Sequence, residues 1–108
     1  MTKETLIKHL DEKVRRQAQK PSCEVCGQAY TEVHHYIGRT NFALRWEIRN
    51  LFSLCRACHL KAHGSQSKWL HKMMWDKRRA DLIYCHNVSQ EPVRPWKEHH
   101  LEDLLSKL

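Results

Sequence analysis

Glycine and proline are scarce, three of each in 108 residues, and no internal repeat or low-complexity stretch is present, which excludes collagen-like and linker-type chains. No apolar run approaches the roughly 18 residues that a membrane-crossing helix needs. The first ten residues carry Lys3, Glu4, Lys8 and His9 where a signal peptide would be apolar, so the expected location is the cytoplasm. Acidic residues are also short: 12 Asp and Glu against 19 Lys and Arg leave a formal +7. A basic excess of that size on a small chain favours a polyanionic partner such as nucleic acid. The excess is shared along the chain, with no tail carrying it. Apolar residues at 41% and charged residues at 29% are those of a folded globular protein with one core, in which any catalysis must fit one compact site.

Periodicity divides the chain into three stretches of one expected domain, 1–108. In residues 1–20, Leu6, Leu10, Val14 and Ala18 recur every four residues and predict an amphipathic helix that stops before Pro21. In 21–64, a turn-rich knuckle at 22–30 leads to a short strand over Thr31–Ile37. A loop over 38–49 follows, then a second strand at Leu51–Leu54, and a helix from about Cys55 to His63 closed by a left-handed Gly64. In 65–108, Ser65 or Ser67 caps a longer helix whose apolar face is Leu70, Met73, Met74, Ala80, Ile83 and Tyr84, ending near His86 and Asn87. A last short helix is expected from around Pro95.

Five cysteines are an odd number, and four of them form two Cys-x-x-Cys pairs, Cys23 with Cys26 and Cys55 with Cys58. At that spacing two thiolates from one turn reach one ion, and two pairs complete a tetrahedral four-sulfur zinc site. Unligated buried cysteines seldom fall in matched pairs, and neither pair follows the strand that a redox Cys-x-x-Cys needs. Cys85 is left over. His59 and His63 lie four apart, on one face of the predicted helix, where they can hold a second cation. Because His59 follows Cys58 directly, the zinc would anchor the start of the helix that presents this second site.

The order His34-His35, Asn50, Leu54-Cys-Arg-Ala-Cys-His59 and His63, set on the two cysteine pairs, resembles the HNH endonuclease motif. The spacing is similar to that of the nuclease domains of colicins, and His35-Tyr-Ile-Gly-Arg39 through Leu44-Arg-Trp46 to Asn50 resembles phage recombination nucleases of the NinG kind. The resemblance covers residues 23–63. It implies an α+β fold in which a ββα-metal core with a four-cysteine zinc knuckle is flanked by N-terminal and C-terminal helices, in a bacterial or phage-encoded enzyme. It implies hydrolysis of DNA phosphodiesters with a catalytic divalent metal (Mg2+, Mn2+, Ni2+ or Zn2+) beside the structural Zn2+. By similarity His35 is the general base, His34, His59 and His63 hold the catalytic metal, and Asn50 fixes the loop and orients His35 through a backbone hydrogen bond.

Neighbouring residues on a regular strand face opposite ways, so His34 and His35 can share one site only if the strand ends or bulges there. His63 also has a plainer use, as a cation on the last helical turn, and Asn50 as a turn residue. Arg39, Arg45 and Arg49 are placed to clamp phosphates, and Lys68, Lys72, Lys77, Arg78 and Arg79 extend a basic stripe that is equally readable as a solvated helix face. Trp69 and Trp75 are expected in the core. No element resembles a base-reading recognition helix, so DNA contact should be led by phosphates. Two rival readings share these residues: a zinc-stabilised nucleic-acid-binding module without hydrolysis, and a nuclease selective for branched DNA or RNA. The sequence leaves the oligomeric state open.

Overall fold

In the computed structural model, which describes residues 1–92 and 96–108, the first helix is α1, Lys3–Ala18. The Thr2 hydroxyl accepts from the Thr5 amide at 3.2 Å and caps it. Leu6, Leu10, Val14 and Ala18 are its buried residues, the stripe expected from their spacing. Beyond its end the Gln19 side chain donates to the Thr31 carbonyl at 2.6 Å, which ties the helix to the first strand.

Strand β1, Thr31–His35, pairs antiparallel with β2, Leu51–Cys55, in the register Thr31 to Cys55 and His35 to Leu51. All five residues of β2 are buried. Phe52 and Leu54 pack with helices α3, Arg56–His63, and α4, Ser67–Ser89, whereas Leu51 packs with α1 and with α5, Glu98–Lys107. Two cores therefore meet at β2, which is why Leu-Phe-Ser-Leu-Cys shows no alternation of polar and apolar residues. Its one hydroxyl is fully paired: Ser53 Oγ donates to the Ala18 carbonyl at 3.1 Å and accepts from the Lys20 amide at 2.7 Å.

Several local expectations are corrected. Residues 38–49 are not a plain loop, for they contain α2, Phe42–Arg45, and the start of a 3-10 turn, Ile48–Asn50. Each is opened by a side chain, Asn41 accepting from the Ala43 amide and Glu47 from the Arg49 amide. Gly64 closes α3 with φ −107°, outside the left-handed region; a Cβ there would lie 3.2 Å from the Leu60 carbonyl oxygen, so close approach explains the glycine. Neither Ser65 nor Ser67 caps α4, whose cap position is Gln66 without a side-chain bond.

Helix α4 breaks at Arg78, with φ −138° and ψ 50°. The break resets the helical phase, so Leu82 and Cys85 are buried while Ala80 and Ile83 are exposed. It is held by the Arg78 guanidinium, which donates to the carbonyls of Leu51 (2.7 Å), Ile48 (3.2 Å) and Arg49 (3.3 Å) and to Asp81 (2.9 Å). The expected start of the last helix at Pro95 lies outside the described residues; α5 itself packs on α1 through Leu101.

Candidate functional site

Gly27, at φ 82°, turns the chain after Cys26, and its amide donates to the Cys23 carbonyl at 2.9 Å, which folds the first cysteine pair into a knuckle. The knuckle docks on β2 through Glu24, whose carboxylate accepts from the Ser53 amide at 2.7 Å. The second pair straddles the junction of β2 and α3, where Cys55 caps the helix by accepting from the Cys58 amide at 3.5 Å. All four sulfurs lie within 4.8 Å of one another. Burial pushes the Cys23 thiol up, but the amides of Cys26, Cys55 and Val25 outweigh it and bring it down to about 6. Cys58 is pushed up, by burial first and then by the neighbouring thiols. Four sulfurs converging at this spacing fit a tetrahedral metal site.

His34, His59 and His63 bring one ring nitrogen each within 4.8 Å of the others. Their ring centroids are 5.0 to 5.2 Å apart, with His34 edge-on to both rings of α3. His34 is 3% exposed and its Nε2 has no hydrogen-bond partner among the described residues. Burial, helped by the other histidines, lowers its pKa to about 3, so the ring is neutral at pH 7, the form that binds a metal. On His59, Nδ1 lies 2.9 Å from Glu32 Oε1; a carboxylate only accepts, so this nitrogen carries the proton and Nε2 is left for a cation. The orphaned nitrogen of His34 and the convergence of three imidazoles fit a divalent cation.

β1 ends at His35, and this end resolves the alternation problem: His34 and His35 both line one cavity of about 450 Å³, together with His59 and His63. His35 Nε2 is 2.9 Å from the Arg45 carbonyl, which can only accept, so Nε2 donates and Nδ1 keeps its lone pair. Burial and the charges of Arg39 and Arg45 hold the His35 pKa below its usual value, against the pull of that carbonyl. A neutral imidazole with a free Nδ1 can take a proton.

Asn50 is fully buried. Its Nδ2 donates to the carbonyls of Ile37 (3.0 Å) and Leu44 (2.9 Å), and its Oδ1 accepts from the Ile37 amide (2.8 Å). Its own carbonyl accepts from Tyr36, the residue after His35, at 2.9 Å. Asn50 thus touches neither the cavity nor the His35 ring; it positions both ends of the loop that supplies the Arg45 carbonyl.

Residues 23–65 match the model of the HNH endonuclease family. This segment is an HNH domain. Comparisons with curated proteins and with solved structures find no match. The HNH domain takes in the knuckle, both strands, α3 and every histidine of the cluster, while α1, α4 and α5 lie outside it.

Around the HNH domain the basic residues divide into two groups. Arg39 lines the cavity and its guanidinium has no hydrogen bond or ion pair among the described residues; Lys68, Lys72 and Arg79 are exposed. Arg45 is instead committed to Asp11, donating to both carboxylate oxygens at 2.9 and 2.7 Å. Arg49 pairs with Glu47 at 2.7 Å and lies 3.3 Å from the centre of the Tyr84 ring. Arg78, with 16% of its side chain exposed, is the clamp of the α4 break. Arg45, expected as a phosphate clamp, and Arg78, expected in the basic stripe, thus spend much of their hydrogen-bonding capacity inside the fold. Trp75 packs inward, its indole donating to the Tyr36 hydroxyl at 2.8 Å, but Trp69 is 51% exposed beside Lys61, against the core expectation.

Three residues at the site are not among those expected from the sequence. Glu32 orients His59, Asp11 holds Arg45 and also accepts from the Trp46 indole at 2.8 Å, and His71 of α4 lies 6.1 Å from the His34 ring. For Glu32 a usable clue existed in its place two residues before His34 on a strand, since both face one way. Asp11 and His71 depend on contacts that cross the fold.

Proposed function

We propose that the chain is a metal-dependent endonuclease hydrolysing DNA phosphodiester bonds, acting as one unit over residues 1–108 in the cytoplasm of a bacterial or phage-infected cell. The observation that carries this reading is the shared cavity of His34, His35, His59 and His63, in which three imidazoles converge and the fourth is held apart by the Arg45 carbonyl. The HNH match supports nuclease chemistry at the level of the family.

In this reading His35 Nδ1 takes the proton of the attacking water as oxygen bonds to phosphorus, and the bond from phosphorus to the 3′-oxygen breaks. His34, His59 and His63 hold a divalent cation, which when bound stabilises charge on the phosphate and on the leaving oxygen. Glu32 keeps His59 in the tautomer that leaves Nε2 for the cation. Asn50 positions the loop behind His35. Cys23, Cys26, Cys55 and Cys58 hold a structural Zn2+. Arg39, with Lys68, Lys72 and Arg79, meets the phosphates.

The test is single-turnover cleavage of duplex, branched and single-stranded DNA and of RNA, with Mg2+, Mn2+, Ni2+ and Zn2+ in turn. Cleavage of DNA with at least one metal is expected, and His35→Ala should lower the rate by about 10² to 10⁴ while keeping fold and affinity. Undiminished cutting by His35→Ala would move the base elsewhere. DNA binding with no cleavage under any metal would favour the binding module.

A further inference from the structure

The cavity that holds the histidines has a wall that the HNH segment does not provide. Asp11, Val14 and Arg15 of α1 line it together with His59 and His63. Asp11 and Arg15 are four residues apart and share a helix face, one step round from the buried stripe of Leu10 and Val14.

The charges of that cavity can be counted from its lining. Three guanidinium groups, Arg15, Arg39 and Arg45, face one carboxylate, Asp11, which leaves two positive charges. Arg45 and Asp11 neutralise each other through their two hydrogen bonds. The two charges that remain sit on Arg15 and Arg39. Arg15 is exposed, and its guanidinium has one neutral partner, Gln19 Oε1 at 3.2 Å. Its neighbour Arg16 is already paired with Glu12 at 2.6 Å and does not line the cavity. Adjacent arginines on one helix are thus put to different uses: one closes a surface ion pair, and one lines the histidine cavity with no carboxylate of its own.

We propose that Arg15 is a substrate-binding residue that pairs with a backbone phosphate in the histidine cavity it shares with Arg39, so that α1 adds to the active site a cation from outside the HNH segment. Two guanidinium groups lining one cavity suit a chain of phosphodiesters, because each can donate to two oxygens of one phosphate through its planar fork. The position also suits the reaction. A guanidinium lining the same cavity as the metal-binding nitrogens can reach the non-bridging oxygens, where charge builds during attack. The link to cleavage rests on the nuclease reading above; the link to binding does not.

The experiment separates the two. Affinity for a duplex DNA oligonucleotide is titrated across a salt series, with full-length His35→Ala as the parent and Arg15→Ala or Arg16→Ala added. One phosphate contact contributes about 0.9 to the slope of log affinity against log salt on duplex DNA. Arg15→Ala should flatten the slope by about that amount, and Arg16→Ala, which removes the same charge one residue away, should leave it in place. On the His35 protein, Arg15→Ala should slow single-turnover cleavage of the same duplex by about tenfold or more, with Arg16→Ala within about twofold of the parent. Equal salt slopes for the two arginine variants would overturn the proposal. If no metal gives cleavage at all, the nuclease reading fails by itself, and the slopes still decide whether Arg15 holds a phosphate.

Discussion

Asn50 should be the residue whose loss is felt farthest from where it sits. Its side chain is sealed from solvent, yet it satisfies the Leu44 carbonyl six residues earlier and the Ile37 amide and carbonyl thirteen residues earlier. Asn50→Ala strands those backbone groups, and each buried polar group left unpaired costs about 1–3 kcal/mol. The same loop delivers the Arg45 carbonyl to His35, so the ring loses the partner that fixes its tautomer. The variant should therefore melt lower and also turn over more slowly at temperatures where it is fully folded. Denaturant titration and single-turnover cleavage give the two readings. An Asn50→Ala protein as stable as the parent would mean that water replaces the amide at no cost, and the positioning role would go with it.

The cysteine site joins the knuckle to the point where β2 becomes α3, and α3 carries His59 and His63. Loss of the Zn2+ proposed for it should loosen both sites at once. Cys58→Ser, or a chelator strong enough to strip thiolates, should lower the melting temperature by at least about 10 °C, because binding energy at such a site is folding energy. The histidine cluster should then bind Ni2+ or Mn2+ more weakly, since the start of its helix is no longer held. Cys85→Ala should leave the metal content unchanged, Cys85 lying outside the cluster. Metal analysis with calorimetric titration would detect the coupling, and an unchanged histidine-site affinity in Cys58→Ser would show that the rest of the fold holds α3 unaided.

These elements also mark how far the sequence could be read. Helix α1, the two strands and α3 are written in local patterns: a four-residue stripe, β-branched residues bounded by glycine, and cysteine and histidine at fixed spacings. The pairing of His59 with His63 follows from their spacing of four, whereas His34 joins them only through the family resemblance. Helix α2 and the 3-10 turn rest on single caps from Asn41 and Glu47, which leave no periodicity to find. The break in α4 was invisible because its cause is Arg78 reaching carbonyls of Ile48, Arg49 and Leu51, about 30 residues earlier in the chain. Arg45 misled for the same reason. A basic residue beside a candidate site looks free until the fold brings Asp11 to it.

That pairing of Asp11 with Arg45 adds an ionic tie to the apolar packing and the Gln19 bond that hold α1 on the HNH domain, and it makes the fold sensitive to acid in a defined way. Burial pushes the Asp11 carboxyl up, but hydrogen bonds from Arg45 and Trp46 and the charges of Arg45 and Arg39 outweigh it, so its pKa lies below the ordinary value. A carboxyl whose pKa is lower folded than unfolded stabilises the fold above the unfolded pKa of about 3.9, and that contribution fades as pH falls through the folded value. Asp11 is 35% exposed in its side chain and Arg45 is 17%, so solvent screening limits the pair to about 1 kcal/mol, or about 4–8 °C in melting temperature. The stability difference between the parent and Asp11→Asn should then be constant from pH 7 to about pH 4 and shrink below it. Taking the difference cancels the loss of thiolate-bound metal, which affects both proteins alike. Thermal melts of the pair across that range provide the measurement. Because the Arg45 carbonyl is the partner of His35, Asp11→Asn should also slow cleavage several-fold at neutral pH, where the fold is intact. A stability difference that persists undiminished to pH 2 would show that the carboxylate charge is not what joins α1 to the domain.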